Sequence, residues 1–295
     1  MLLPKFDFHE PATVAEACEM LAEYGQKAKV LAGGTDLIVN MKKKLTSPPH
    51  IVSISRIEEI TGCDLSPRLL KIGSCFTIAN IAVSQAIAKK WGALCAGAKA
   101  LGSPQVRNLA TIGGNIASAS SAADMPPSLI AYDAKVVLRR ESEHRVLSMD
   151  HFFVGSKLAD IGPDEIITEI QIEEPPPYSG AGYVALGIRN AQDIKIVNVA
   201  SFITLDGPYG IIKNARIVMG CVGPTPLRAL SAERLLVGEK PTETIFAKAA
   251  EAAILTASPR GAAYSRASAK YKKEMVGVLT RRTLGIALKE ATQQG

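Results

Sequence analysis

The chain has few aromatic residues and lacks the signatures of several common functional classes. Phe, Tyr and Trp make up only 5% of its 295 residues, which argues against the stacking surface of a nucleic-acid-binding protein. No stretch of about 18 apolar residues occurs, and the start has no signal-peptide pattern. Neither a P-loop nor an H-E-x-x-H motif is present, and the five cysteines lack C-x-x-C or zinc-ribbon spacing. We therefore expect a reduced cytoplasmic protein without a membrane span, a metal site or a nucleic-acid partner.

The excess of positive charge is confined to one end of the chain. The formal net charge is +6, and residues 256–295 alone hold eight basic and two acidic residues, so the other 255 residues sum to zero. A basic segment can bind phosphates, but it is more often a solvated helix face or a patch for a protein partner. We favour the second interpretation.

The pattern of apolar segments predicts an α+β protein of two domains. Strand-like and helical segments alternate up to EEPPPYSG (173–180), where three consecutive prolines exclude a continuous helix or a central strand. Strands over 182–189, 197–205 and 215–222 and helices near 242–256 and 269–290 follow. Upstream, the pattern predicts a helix over Thr13–Tyr24 capped by Thr13, and one helix over Ile78–Lys90.

Two glycine pairs are the most informative feature. Gly33-Gly34-Thr35 and Thr111-Ile112-Gly113-Gly114 each combine glycines with a hydroxyl residue. Glycine pairs allow positive φ and a close approach of the backbone, so successive N–H groups can converge on one anion. Two such turns could hold the two phosphates of a dinucleotide without a basic residue. The alternative is a pair of tight turns that only reverse the chain.

Two further features remain ambiguous or weak on residue grounds alone. Asp124 follows the second pair by ten residues, and it is either an acceptor for sugar hydroxyls or a cap before Pro126-Pro127. Gly180-x-Gly182-x-x-Ala185 matches the Rossmann fingerprint formally. It follows PPPYS and enters a strand where that fingerprint requires a helix, so we reject it.

Four segments together resemble a known family. AGGTDL (32–37), GSPQVRNLATIGGNIASASSAADMPPSL (102–129), DEIITEI (164–170) and RNAQDIKIVNVA (189–200) are similar to the FAD-binding medium subunits of molybdenum hydroxylases. That family includes carbon monoxide dehydrogenase, nicotinate dehydrogenase and xanthine dehydrogenase. The resemblance extends over nearly the whole chain, including the C-terminal segment YKKEMVGVLTRR (271–282).

The resemblance implies a fold and a set of cofactor-binding positions. It implies an FAD-binding domain of the vanillyl-alcohol-oxidase/MurB (PCMH) type over residues 1–176, with subdomains of about 1–57 and 58–176. A C-terminal α+β domain like that of the CO dehydrogenase flavoprotein covers 177–295. The implied FAD contacts are Val30, Leu31, Ala32, Gly33, Gly34, Thr35, Asp36, Leu37, Gly102, Thr111, Ile112, Gly113, Gly114, Asn115, Ser118, Asp124 and Ile167.

The resemblance also implies a role in a complex. The chain would carry FAD and no catalytic residue, and would pass electrons from [2Fe–2S] clusters on a small subunit to NAD or another acceptor. A large subunit would hold molybdopterin and the substrate. The rivals are a self-contained FAD oxidoreductase and a non-catalytic assembly subunit. The sequence departs from the family pattern in two places. Ala185 stands where many relatives have a lysine. The cysteine-bearing insertion that holds an additional iron–sulfur cluster in 4-hydroxybenzoyl-CoA reductase and its relatives is absent.

Overall fold

A computed structural model describes residues 2–141, 143–189, 191–261 and 266–293. In the described part of the chain, no helix combines the length and the apolar character that a membrane span requires. Within the same ranges, no group of three or more His, Cys, Asp or Glu side chains is placed to hold a metal ion. All five cysteines are free thiols.

The first part of the chain is a small parallel sheet with two helices. Its three strands lie in the order β1-β3-β2, and helix α1 packs on them around Val14, Cys18 and Leu21. The α1 prediction is confirmed at its start, because the Thr13 hydroxyl accepts a hydrogen bond from the Glu16 amide. The elements are β1 (Asp7–His9), α1 (Val14–Tyr24), β2 (Ala28–Leu31), α2 (Leu37–Lys42) and β3 (His50–Ser53).

The second part is an antiparallel five-stranded sheet, β4-β5-β10-β6-β7, packed against a group of short helices. The strands are β4 (Cys63–Ser66), β5 (Leu69–Gly73), β6 (Lys135–Arg140), β7 (Glu143–Ser148) and β10 (Ile166–Glu173), beside the small ribbon of β8 (Phe153–Gly155) and β9 (Leu158–Ala159). The helices are α3 (Ile78–Val83), α4 (Gln85–Lys90), α5 (Gly92–Ala100), α6 (Pro104–Leu109), α7 (Ile112–Ala117), α8 (Met125–Ala131) and α9 (Met149–Phe152).

The third part is an antiparallel sheet, β11-β12-β13-β14, covered by the last three helices. Its elements are β11 (Ser179–Leu186), β12 (Val197–Leu205), β13 (Ile212–Gly220), β14 (Leu227–Arg228), α10 (Leu230–Leu236), α11 (Glu243–Thr256) and α12 (Ala269–Gln293). All nine residues of β12 are buried, because α12 packs on β12 as α8 does from the preceding part of the chain. Burial of both faces explains its nearly continuous apolar sequence.

Two sequence-based predictions of local structure are wrong. The helix expected over Ile78–Lys90 is divided at Ser84, whose hydroxyl accepts a hydrogen bond from the Ile87 amide and so starts α4. The second glycine pair does not form a tight turn. Gly113 and Gly114 lie inside α7, and Thr111 caps that helix by accepting a hydrogen bond from the Gly114 amide.

The formal Rossmann match is a packing feature. A Cβ atom on Gly182 would lie 2.4 Å from the carbonyl oxygen of Thr283, and one on Gly180 would lie 2.1 Å from that of Ala287. The two glycines lie in β11 and let α12 approach the strand backbone. Rejection of a Rossmann phosphate loop here is therefore supported.

Candidate functional site: a backbone cradle beside a buried carboxylate

The first glycine turn presents a row of unpartnered backbone donors. It connects β2 to α2, and Gly34 adopts a φ of +70°. Among the residues that the structure describes, none accepts a hydrogen bond from the amides of residues 33–37. The Asp36 side chain does not cap α2. Successive free N–H groups at a turn that leads into a helix favour an anion, because the donors point outward and the peptide dipoles add to their charge.

The turn is held by close contact with the chain ahead of α7. A Cβ atom on Gly33 would lie 1.8 Å from the carbonyl oxygen of Leu109 and 3.1 Å from the Cα of Ala110. Glycine is required at position 33 for this contact. The structure thus places the first glycine segment next to the residues that precede Thr111. A ligand site between the two glycine segments requires this proximity.

The second glycine segment, residues 111–115, differs from the first in the state of its backbone amides. The amide of Ile112 donates to the carbonyl of Phe76, that of Gly113 to Ser74, and that of Asn115 to Thr111. The amides of residues 112–115 therefore already have protein acceptors, unlike those of residues 33–37. This segment offers a surface and side chains to a ligand in place of a second row of free donors.

Two details show which face of α7 is available. A Cβ atom on Gly113 would lie 2.6 Å from the Cβ of Ser74, so this glycine serves packing. Gly114 is exposed, and a Cβ atom there would meet only the Thr111 hydroxyl, at 3.1 Å. Oδ1 of Asn115 is buried and has no hydrogen-bond partner in the described part of the chain. An acceptor left without a donor next to an open glycine surface is suited to a hydroxyl or amide of a ligand.

Asp124 is buried and does not cap the helix that it precedes. Its carboxylate makes no capping bond to α8, so the structure does not support the cap interpretation. Instead, Oδ1 accepts a 2.7 Å hydrogen bond from the Tyr183 hydroxyl, and that hydroxyl accepts one of 3.3 Å from Nδ2 of Asn198. The same Asn198 amide group donates to the Ala123 carbonyl.

The environment of Asp124 changes its acidity. Burial raises the pKa of the carboxyl to about 6, while the hydrogen bond from Tyr183, the positive charge of Lys195 and the Asn198 amide lower it. Burial of Tyr183 and its contact with Asp124 raise the pKa of the phenol well above its usual value. The hydroxyl of Tyr183 is therefore a donor at all physiological pH values, and Asp124 is largely ionised only above about pH 6.

The remaining predicted contacts surround these groups or lie in the core. Val30 and Leu31 end β2 immediately before the turn, and the Ser118 hydroxyl donates to the Asn115 carbonyl. Gly102 has a φ of +51°, and its carbonyl accepts a hydrogen bond from the Gln192 amide. Ile167 is only 5% exposed and lies in the same apolar core as α7.

Tyr183 and Asn198 are site residues that sequence reasoning missed. Asn198 is fully buried in β12, where it interrupts the apolar run VNVASFITL. A polar residue in such a run needs a buried partner, so it was the one available signal. Tyr183 gave no such signal, because an aromatic residue in a strand is ordinary.

A separate cleft lies outside this site. It has a volume of about 600 Å³ and lies between β7 and the segment 159–165, and none of the predicted contacts lines it. Arg145 joins its walls through hydrogen bonds to Glu165 and Asp160.

The fold is that of an α+β protein, and the candidate site combines free backbone amides with a buried carboxylate. Residues 4–175 match the model of the FAD binding domain in molybdopterin dehydrogenase, and residues 183–287 match that of the CO dehydrogenase flavoprotein C-terminal domain. The chain therefore belongs to the family of FAD-binding subunits of molybdenum hydroxylases, which are oxidoreductases. The predicted family and fold class are confirmed.

Individual relatives match over more than nine tenths of their length. The carbon monoxide dehydrogenase medium chain of Hydrogenophaga pseudoflava is 33% identical over 97% of this chain and 98% of its own. The nicotinate dehydrogenase FAD subunit of Eubacterium barkeri is 32% identical over 92% of each. The solved carbon monoxide dehydrogenase of Hydrogenophaga pseudoflava superposes with a TM-score of 0.93 at 32% identity, covering 98% of this chain and 99% of that one.

The residues present fit FAD. A pyrophosphate needs several hydrogen-bond donors, and the amides of residues 33–37 have no acceptor among the described residues. Sugar and ribityl hydroxyls need acceptors, which Asp124 and the unpartnered Oδ1 of Asn115 supply. Neither 32–37 nor 111–115 contains Lys or Arg, so these two segments offer a phosphate backbone N–H and hydroxyl groups and no positive charge.

Proposed function

We propose that this chain binds FAD between its two glycine segments and serves as the electron-transfer subunit of a cytoplasmic molybdenum hydroxylase complex. It receives electrons from [2Fe–2S] clusters on a small partner subunit and delivers them to NAD or another acceptor. Substrate is oxidised at molybdopterin on a large partner subunit. When bound, FAD supplies the reversible uptake of electrons, and the protein supplies binding and orientation.

The row of free amides over residues 33–37 is the observation that carries this proposal. These donors hold the pyrophosphate, while the exposed surface of Gly114 lets the ligand approach α7. Asp124 and Asn115 accept hydrogen bonds from sugar hydroxyls. The full set is the one inferred from the family: Val30 to Leu37, Gly102, Thr111 to Asn115, Ser118, Asp124 and Ile167.

We also propose that the two domains meet between residues 176 and 177. Pro175–Pro177 separate β10, which belongs to the five-stranded sheet, from β11, which begins the C-terminal sheet. The two family models, 4–175 and 183–287, leave residues 176–182 uncovered, which supports a boundary in this region.

Purification of the tagged chain from its native host tests the function. We expect flavin absorption, together with a large and a small partner that bring molybdenum and iron. Reduction of the flavin by the substrate of the complex should require both partners, and addition of NAD should reoxidise it if NAD is the acceptor. Turnover of an organic substrate by the isolated chain would contradict the proposal and favour a self-contained oxidoreductase. Purified chain that binds no FAD would favour an assembly subunit.

A further inference from the structure

Asp124 is held from the C-terminal part of the chain, although it belongs to the FAD-binding part. Tyr183 on β11 donates to Oδ1 of Asp124 at 2.7 Å, and Asn198 on β12 donates to the Tyr183 hydroxyl at 3.3 Å and to the Ala123 carbonyl at 3.1 Å. The three side chains are buried, at 5%, 7% and 0% exposure for Asp124, Tyr183 and Asn198. The Asn198 amide therefore holds two neighbours of the Asp124 carboxylate, the backbone at Ala123 and the Tyr183 hydroxyl.

The direction of these hydrogen bonds has a chemical consequence. The Asn198 amide donates to the Tyr183 hydroxyl and that hydroxyl donates to Asp124, so these two hydrogen bonds both run toward the carboxylate. The Tyr183 hydroxyl donates to Oδ1, and because a carboxylate offers about four lone-pair sites, Asp124 keeps acceptor capacity. Such an arrangement favours the charged carboxylate and fixes its plane.

Other charged and titratable groups around Asp124 are few. Lys195 precedes β12, and its ammonium group donates to the Ala100 carbonyl at 2.8 Å. The Cys221 thiol follows β13, and burial raises its pKa to about 12, so it stays neutral. The Lys272 ammonium group donates to the Cys221 carbonyl. Tyr183 therefore contacts the carboxylate directly, at 2.7 Å, while Lys195 acts on it through its positive charge.

We propose that Tyr183 and Asn198 are positioning residues that hold the Asp124 carboxylate as an acceptor for a ribityl or ribose hydroxyl of FAD. The proposal rests on the assigned function of the site, and adds that the C-terminal domain sets FAD affinity through this hydrogen-bond chain. Loss of the Tyr183 hydroxyl should weaken FAD binding without any change in the phosphate cradle.

The experiment is an FAD titration of the full-length chain from which bound flavin has been removed. Flavin fluorescence reports binding, at several pH values between about 5 and 8. In the wild type, affinity should fall as the pH falls through about 6, the pKa of Asp124. Tyr183→Phe should weaken binding about tenfold at pH 7, the effect of roughly one lost hydrogen bond to a charged group. It should also shift the midpoint of the pH dependence upward, because the hydrogen bond that lowers the pKa of Asp124 is gone.

Matched variants separate positioning from general destabilisation. Tyr132→Phe removes another buried hydroxyl, which accepts a hydrogen bond from the Ala93 amide, and should leave FAD affinity and its pH midpoint unchanged. In an Asp124→Asn background, Tyr183→Phe should have little further effect on affinity. An unchanged Kd and pH midpoint in Tyr183→Phe, with normal wild-type binding, would overturn the positioning role alone. A wild-type chain that binds no FAD would overturn the function itself.

Discussion

The Tyr183 hydroxyl donates a 2.7 Å hydrogen bond to Oδ1 of Asp124, which joins β11 to the residue that immediately precedes α8. This contact links the C-terminal sheet to the helix that follows the second glycine segment. It is made in a region with little water, since both side chains are less than a tenth exposed. A carboxylate buried in this way makes stability depend on pH, which leads to the first prediction.

We expect Asp124 to destabilise the FAD-free chain as the pH rises from about 4 to about 6. Its folded pKa, about 6, exceeds the ordinary value of 3.8, so in this window the folded state binds more protons than the unfolded state. The free energy of unfolding therefore falls with rising pH until the folded carboxyl has ionised. A shift of about two pKa units corresponds to about 3 kcal/mol.

The measurement compares wild type with Asp124→Asn by urea unfolding at several pH values. The difference in unfolding free energy, wild type minus variant, should decrease by roughly 2–3 kcal/mol between pH 4 and pH 7. Subtraction cancels the other titrating groups. A difference that stays constant across this range would show that the Asp124 pKa is not raised.

Gly114→Val should abolish FAD retention while leaving the fold largely intact. A side chain at this exposed position would occupy the surface through which a ligand approaches α7, yet the Cβ atom meets only the Thr111 hydroxyl, at 3.1 Å. The assay is the ratio of flavin to protein absorbance after purification, with circular dichroism as a test of folding. Gly285→Val is the matched control, because Gly285 also lies in a helix and a Cβ atom there has no neighbour within 4 Å. Equal flavin content in the two variants would contradict the role of Gly114.

Local patterns in the sequence predicted much of the fold, and they failed where tertiary contacts decide the structure. The boundaries of β12 could be predicted from its apolar run, because both faces of this strand are buried and so need apolar residues. By contrast, the need for glycine at position 113 arises from the close approach of Ser74, which lies 39 positions earlier. The candidate anion site at residues 33–37 could be predicted because its glycine pair is visible in the sequence. The contact between Tyr183 and Asp124 could not, because the two residues are 59 positions apart and no local pattern indicates it.

Arg145→Met should destabilise the chain by about 1 kcal/mol and disorganise the segment 159–165. The guanidinium donates to both oxygens of Glu165 at 2.7 Å and to Asp160 at 3.1 and 3.2 Å. The Arg145 side chain is 38% exposed, so solvent screening limits the energy. The hydrogen bond from Arg145 lowers the pKa of Glu165. The contribution of this pair to the free energy of unfolding is therefore present above the unfolded-state pKa of Glu165 and is lost as the pH falls through its folded-state pKa.

The effect should appear in thermal unfolding at low salt and shrink as salt is added. Arg140→Met is the control, since Arg140 is more exposed and pairs with the exposed Glu143 at 2.9 Å and only at 3.7 Å with Asp164; its effect should be smaller. FAD content should not change in either variant, because the cleft beside Arg145 contains none of the proposed FAD contacts. Flavin loss in Arg145→Met with normal stability would place part of the cofactor site in this cleft.

Gly182→Val should destabilise the C-terminal domain by about 3 kcal/mol or more and leave most of the chain insoluble. Its Cβ would lie 2.4 Å from the Thr283 carbonyl, so α12 would have to move away from β11 and open the core between them. Gly207→Ala is the control, because a Cβ atom at Gly207 has no neighbour within 4 Å. Urea unfolding of the soluble fraction measures the difference. If Gly182→Val kept wild-type stability but lost FAD, the glycines of β11 would serve the ligand after all, and the assignment of GAGYVA (180–185) to strand–helix packing would be wrong.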